Sequence, residues 1–388
     1  MSFHPFSSLP TPKPDPLFAI AAEAAKAGPE AINGTLGIYM DEDGKPLVFP
    51  SVLKTLEYLQ KNLLSFNYSY PLLSGLPKFQ QAVIDLISSP KDVVASIAST
   101  GGTGALAINL RLMKMLLGEG NTDIIVSTPA WANHVSECKW AGLNVIEAPY
   151  ILNGRASVDG IIETIKKCTK PFGILLQVGC HNPTGLDLTE GEWSEVFDAL
   201  QNKSCVLLLD FAYQGFKSEP EEDRRPIRLA VDRGLTTLVT WSASKNHSIY
   251  GMRTGLAATF VSDMTVQKTV EGTYCMITRG LHSAAPTFGQ AIVALTQQMH
   301  SDEWRSDLSD ARALMTRKRT LMKQSLPDSF QACLSGYGMF AMLPLSPAQV
   351  DRLKVEQKVF LPRDGRINIA GIPEVRIEEL SAKIGKVL

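Results

Sequence analysis

This sequence predicts an α/β fold: a mostly parallel central sheet with helices on both faces, plus a smaller α+β domain. Four short runs have a continuous apolar stretch ended by polar or turn residues, which suits strands buried on both faces. Stretches of helical spacing separate them, as the crossovers of a parallel sheet require. The chain has 388 residues, too many for one small core.

In chain order, the first thirty or so residues are rich in proline and alanine ("FHPFSSLPTPKPDPLF") and predict an extended arm followed by a short helix. From about residue 92, strands and helices alternate. The continuous apolar runs are "DIIVSTPA" (123–130), "FGILLQVG" (172–179), "CVLLLDFA" (205–212) and "TTLVTWSA" (236–243). Between them, "ALAINLRLMKML" and "TEGEWSEVFDALQN" have the spacing of amphipathic helices. A long helical pattern over 290–325 predicts a bridge to a second unit, which from about 326 has its own turns ("PDS", "SGYG") and an alternating segment, "MFAMLPL". We place a large domain at 47–312, and join the arm, 1–46, to 313–388 as the smaller one. No internal repeat or low-complexity tract interrupts the chain.

Composition narrows the function. Apolar residues make up 45% and charged residues 20%, with a formal net charge of −1, so nothing draws the protein to nucleic acid or an anionic membrane. No apolar run approaches the roughly 20 residues that span a bilayer. The N-terminal stretch reads neither as a signal peptide nor as a mitochondrial presequence. The six cysteines (138, 168, 180, 205, 275 and 333) are scattered, without a Cys-x-x-Cys pair. That pattern predicts reduced core thiols in the cytoplasm and no metal site.

The chemistry gathers at strand ends, where open α/β sheets bind ligands. In "SASKNHSIYGMRTG", Lys245 follows a strand, flanked by Ser242 and Ser244, with Arg253 eight residues on. Hydroxyls and an arginine suit a phosphate dianion, and a lysine kept neutral by burial and nearby positive charge can form an imine with an aldehyde. In "LLLDFAYQGF", Asp210 ends an apolar strand, where a carboxylate needs a partner. Opposite a pyridine nitrogen it would keep that nitrogen protonated, with Tyr213 bonding the ring's oxygen. "CHNPTG" (180–185) is a turn by composition, and its Asn182 could donate to the same oxygen and to a substrate carboxylate. "STGGTGALAIN" (99–109) opens a helix after a glycine-rich loop, so its amides and Thr103 form a phosphate cradle. In "PAWANH" (129–134), Trp131 could stack on a cofactor face. Each has an ordinary structural explanation taken singly. Together, five strand–loop units supply groups suited to one flat, phosphorylated, aldehyde-bearing aromatic.

The series resembles the class I aminotransferases, specifically the aspartate/aromatic subgroup, over nearly the whole chain. Besides the strings above, matching segments are "GIYMDEDGKP" (37–46), "YPLLSGLPKF" (70–79), "TRGLHSAAPTFG" (278–289), "SGYGMF" and "GRINIAG" (365–371). The resemblance implies the pyridoxal-phosphate-dependent transferase fold of aspartate aminotransferase, a homodimer, and transamination between an amino acid and 2-oxoglutarate. It implies that Lys245 is the Schiff-base lysine and general base, Asp210 the partner of the ring nitrogen, and Tyr213 and Asn182 the partners of the ring oxygen. Gly102, Thr103, Ser242 and Arg253 match the phosphate site, joined by Tyr70 and Ser283 from the neighbouring subunit. Trp131 matches the stacking tryptophan. Arg366, with Gly37 nearby, matches the grip on the α-carboxylate. Arg279 matches the partner-subunit arginine that reads the second carboxylate of aspartate or glutamate.

Met40, Ser69 and Ala284 depart from the pattern of strict aspartate enzymes, where polar residues are usual, and predict a more apolar entrance. The alternative function is therefore an aromatic-amino-acid aminotransferase. Carbon–sulfur lyases and decarboxylases share such a cofactor site, but Arg279 in its matching context argues against them. A DNA-binding regulator would need a further basic domain, for which 388 residues leave no room.

Overall fold

The computed structural model describes residues 16–35 and 37–388. The expected extended arm ahead of residue 16 lies outside the described residues, and the short helix after it is present.

The central sheet has seven strands: β1 (Val93–Thr100), β2 (Asp123–Thr128), β3 (Asn144–Pro149), β4 (Phe172–Gln177), β5 (Cys205–Phe211), β6 (Thr237–Ser242) and β7 (Thr254–Val261). Their order across the sheet is β1-β7-β6-β5-β4-β2-β3. Only β7 runs antiparallel to its neighbours; the remaining pairs are parallel. The C-terminal ends of the other six strands therefore open on one edge. The four expected strands are β2, β4, β5 and β6, each shorter than its run by one or two terminal residues.

Helices that position the site are α1 (Pro16–Lys26), α2 (Gly101–Leu117), α3 (Ala132–Trp140), α4 (Glu190–Leu200), α5 (Ala243–Asn246), α6 (Met264–Leu281), α7 (Thr287–Met299) and α8 (Ser301–Ser325). The long helical pattern near 290–325 is two helices, because His300 leaves helical geometry at φ −137° and ψ 30°. The start of α4 is set by a capping box, in which Thr189 and Glu192 satisfy each other's backbone amides.

Burial explains why the strand runs are continuously apolar. Along β5, Leu207 and Leu209 join one apolar cluster while Val206 and Leu208 join another. Alternate side chains point to opposite faces, so a strand covered on both faces must be apolar at every position. One cluster includes Leu106, Ile108 and Met113 of α2. The other takes Trp193, Val196 and Phe197 of α4 with Trp304 and Leu308 of α8. A third cluster unites Ile32 with residues from Met322 to Val387. There the short strands β8 (Phe340–Met342) and β9 (Arg366–Asn368) pair antiparallel, with Met342 opposite Arg366.

Among the described residues, no helix is long and apolar enough to cross a membrane, and no group of side chains could hold a metal ion. All six cysteines are free; Cys138 and Cys180 are buried and the others half-buried.

Candidate active site

A cavity of about 290 Å³ lies at the shared strand ends. The register builds it: Gln177 pairs with Asp210 across β4 and β5, and Asp210 pairs with Thr240 across β5 and β6. Ser242 pairs with Gly255, next to Thr254, which faces Thr100. Polar residues that are remote in sequence thus gather within a few residues of one another at the same edge of the sheet.

At one end, α2 begins at Gly101 and presents its first amides, which have no acceptor inside the helix. Gly101 has φ +75°, and a Cβ there would sit 2.5 Å from Arg253 Nη2, so glycine lets the guanidinium approach the helix start. Arg253, itself at φ +49°, donates to the Tyr250 carbonyl at 3.1 Å and the Ser244 hydroxyl at 3.4 Å. Gly102, Thr103, Ser242 and Ser244 complete this end. Amides, hydroxyls and a fixed cation form an anion site.

Lys245 stands in the middle, on the short helix that follows β6. Burial, and then the nearby Arg253 charge, lower its ammonium from the usual 10.5 to about 8, opposed by Asp210. Its Nζ lies 5.9 Å from the Tyr213 ring centroid and 5.4 Å from that of Tyr250.

At the far end, Asp210 Oδ2 and His134 Nε2 are 2.7 Å apart, and both side chains are buried. An ionised carboxylate can only accept, so the imidazole donates. Trp131, just ahead of α3, meets His134 edge-on at 5.4 Å. Asn182 donates to the Tyr213 hydroxyl at 3.5 Å, while its buried Oδ1 has no hydrogen-bond partner among the described residues. Burial, reinforced by Asp210, pushes the Tyr213 phenol well above its ordinary range. Gln177 shapes the Asn182 loop: its oxygen accepts the Asn182 amide at 3.1 Å and its nitrogen donates to the carbonyls of Gly179 and Cys180.

On the remaining wall, Arg366 donates to the Thr35 carbonyl at 2.8 Å, and its guanidinium lies 5.2 Å from the Phe340 ring centroid. A Cβ on Gly37 would come within 2.8 Å of that ring. Leu17 and Phe18 of α1 also line the cavity.

The structure thus brings together Gly37, Gly102, Thr103, Trp131, Asn182, Asp210, Tyr213, Ser242, Lys245, Arg253 and Arg366. It does not bring in Tyr70, Arg279 or Ser283. Tyr70 is 98% exposed, and Arg279, exposed at the end of α6, donates to Ser283 Oγ at 2.8 Å. Met40 forms a bridge with Pro46, and neither it nor Ser69 nor Ala284 lines the cavity of its own chain. Sequence reasoning assigned no role to His134, Gln177 or Phe340. His134 carried a signal, falling three residues after Trp131 on a helix, and so did Gln177, the one polar residue in its strand.

An anion site, a buried amine and a carboxylate–imidazole pair along one cavity define an enzyme built around a flat, phosphorylated carbonyl cofactor. The unpartnered Asn182 oxygen fits such a group, being a buried polar atom that no protein atom uses, and Gly101 lets the Arg253 guanidinium come close to the start of α2, where an anionic phosphate would bind. The model of the family "Aminotransferase class I and II" matches residues 30–384, and the chain belongs to that family. It is 32% identical over 390 residues to the aromatic-amino-acid aminotransferase of Paracoccus denitrificans, covering 96% of each chain. It is 31% identical over 412 residues to the cytoplasmic aspartate aminotransferase of Saccharomyces cerevisiae, covering 100% of this chain and 98% of the relative. The solved structure of an aromatic-amino-acid aminotransferase from Burkholderia pseudomallei, covalently bound to pyridoxal phosphate, superposes with a TM-score of 0.91 at 27% identity over 100% of both chains. The protein is an aminotransferase, and its cofactor is pyridoxal phosphate.

Proposed function

We propose that the enzyme transfers the amino group of L-aspartate to 2-oxoglutarate, giving oxaloacetate and L-glutamate. The observation that carries this reading is the buried Lys245 amine between Arg253 and Asp210, in a cavity walled by Arg366. Bound pyridoxal phosphate would supply an aldehyde reactive toward amines and a protonated ring that draws electrons from a substrate's α-carbon.

Each residue then has a task. Lys245 Nζ takes the α-proton and returns it, which its lowered pKa allows near neutral pH. Asp210, steadied by His134, holds the proton on the ring nitrogen. Arg253, Ser242, Thr103 and the Gly102 amide hold the phosphate. Asn182 and Tyr213 orient the ring oxygen, and Trp131 covers a ring face and excludes water. Arg366, whose planar fork matches a carboxylate, grips the α-carboxylate.

A second copy completes the site in this reading, bringing Tyr70 and Ser283 to the phosphate and Arg279 to the substrate's second carboxylate. Two features support a homodimer. Those residues do not line the cavity of their own chain, and Leu64, Tyr68, Tyr70 and Leu72 leave large apolar side chains exposed close together in sequence. The third apolar cluster supports a smaller unit made from the N-terminal stretch and 313–388, with the larger one at 47–312. Six free thiols support a cytoplasmic location.

A second reading, aromatic donors, is favoured by Leu17, Phe18, Trp131 and Phe340 on the cavity walls. A panel of donors with 2-oxoglutarate decides between them. Arg279→Leu is expected to cut kcat/KM for aspartate roughly a hundredfold or more, as loss of a charge-assisted carboxylate pair should, with little change for phenylalanine. Equal losses on both donors would reject the role of Arg279. A wild-type enzyme active on phenylalanine but not on aspartate would establish the second reading.

A further inference from the structure

Arg319 lies on α8, outside the cavity lining, and is buried. Its Nη2 donates to the carbonyls of Tyr337 at 2.9 Å and Gly338 at 3.1 Å, and also to that of Phe340. Its Nε and Nη1 are buried with no hydrogen-bond partner among the described residues. A buried cation without a paired carboxylate is a costly choice where an apolar residue would pack. What it obtains in return is control of one strip of backbone.

That strip is pressed against the Asn182 loop. The Tyr337 amide donates to the Gly185 carbonyl at 2.7 Å. Glycines close the seam from both sides. A Cβ at Gly185 would lie 2.2 Å from the Phe340 carbonyl oxygen and 2.7 Å from Arg319 Nη2. One at Gly338 would lie 2.4 Å from Cys180 Cβ. Phe340, at the end of the strip, is the residue whose ring underlies the Arg366 guanidinium and meets Tyr213 edge-on at 6.4 Å. Its strand pairs with the strand of Arg366.

We propose that Arg319 is a positioning residue for carboxylate recognition: it locks 337–340 against the Asn182 loop and so sets Phe340, and with it Arg366, at one depth in the cavity. The inference rests on the reading of Arg366 as the α-carboxylate grip. Displacing the Phe340 carbonyl tilts the ring beneath the guanidinium, while Lys245, Asp210 and the phosphate end stay on the large sheet. Carboxylate binding therefore suffers while the proton-transfer groups keep their places.

The test compares the holoenzymes of wild type, Arg319→Met, Arg319→Lys, Gly338→Ala and Arg366→Leu. Arg319→Met is expected to raise KM for the amino donor about tenfold while kcat stays within about threefold and the cofactor is retained. Succinate, a carboxylate probe that cannot be transaminated, should lose affinity by the same factor when followed through cofactor absorbance. Arg319→Lys, which keeps a donor cation, should restore most of it. Gly338→Ala disturbs the seam while keeping Arg319 and should reproduce the KM effect, which covers a Met variant that fails to fold. Unchanged KM and succinate affinity in Arg319→Met or Gly338→Ala, with Arg366→Leu impaired, overturns the inference and leaves the Arg366 reading intact. A fall in kcat at constant KM also overturns it. Unchanged affinity in Arg366→Leu removes the reading on which it rests.

Discussion

Lys245 shows how far a single side chain is governed by its surroundings. A lysine is ordinarily protonated up to pH 10.5, yet burial and Arg253 bring this one to about 8. The amine is nucleophilic only when neutral, so in the cofactor-free protein its labelling by an acylating reagent should rise with pH through a midpoint near 8, read by mass spectrometry of the Lys245 peptide. A midpoint at the ordinary lysine value would sink the role assigned to its environment. Stability depends on pH through the same group. Between pH 8 and 10.5 the unfolded chain carries a proton on Lys245 that the folded chain has lost, so in this window rising pH stabilises the folded cofactor-free protein relative to Lys245→Met. The full effect is on the order of 3 kcal/mol, because each tenfold change in proton affinity is worth about 1.4 kcal/mol. Lys245, Asp210 and Arg253 were legible in the sequence because their neighbours at other strand ends were chemically consistent with them. His134 was not assigned, because its task is defined by a carboxylate 76 positions away.

Among the elements, the start of α2 is the most exacting. Gly101 has positive φ and no space for a Cβ beside Arg253. Gly101→Ala should leave the helix content unchanged by circular dichroism and weaken retention of the cofactor about tenfold or more on dialysis, because strain and a displaced guanidinium both act on the phosphate end. Retention equal to wild type would show that Arg253 does not need that approach. Strands β2, β4, β5 and β6 were readable because covering both faces forces a continuous apolar run. Strands β1, β3 and β7 were not: β1 reads "VVASIAST", an apolar run broken by small and polar residues. β3 is one edge of the sheet and keeps half its residues open to solvent. β7 reads "TGLAATFV", with small residues that suit close packing between β1 and β6 and carry little strand signal.

At the scale of the whole molecule, the question is how many chains make one site. If Arg279 acts in the neighbouring site, dimers mixed from Lys245→Ala and Arg279→Leu chains contain one intact site, because the chain that retains Lys245 receives a normal Arg279 from its partner. Refolding the two inactive variants together should then recover about a quarter of wild-type activity on aspartate, the random share of intact sites in a symmetric dimer. No recovery, with mixed dimers confirmed by native mass spectrometry, would place Arg279 in its own chain's site.

The sequence by itself determined the class of fold, the family chemistry and most of the residues that line the cavity, because strands buried on both faces and groups suited to a phosphate, an aldehyde and a ring nitrogen tolerate few residue types. Only the tertiary structure decided that His134 backs Asp210, that Gln177 shapes the Asn182 loop, and that Phe340 and Arg319 hold the wall of Arg366. Those partners are joined by packing between distant segments, and the register that brings them together belongs to the folded sheet, not to any local run of residues.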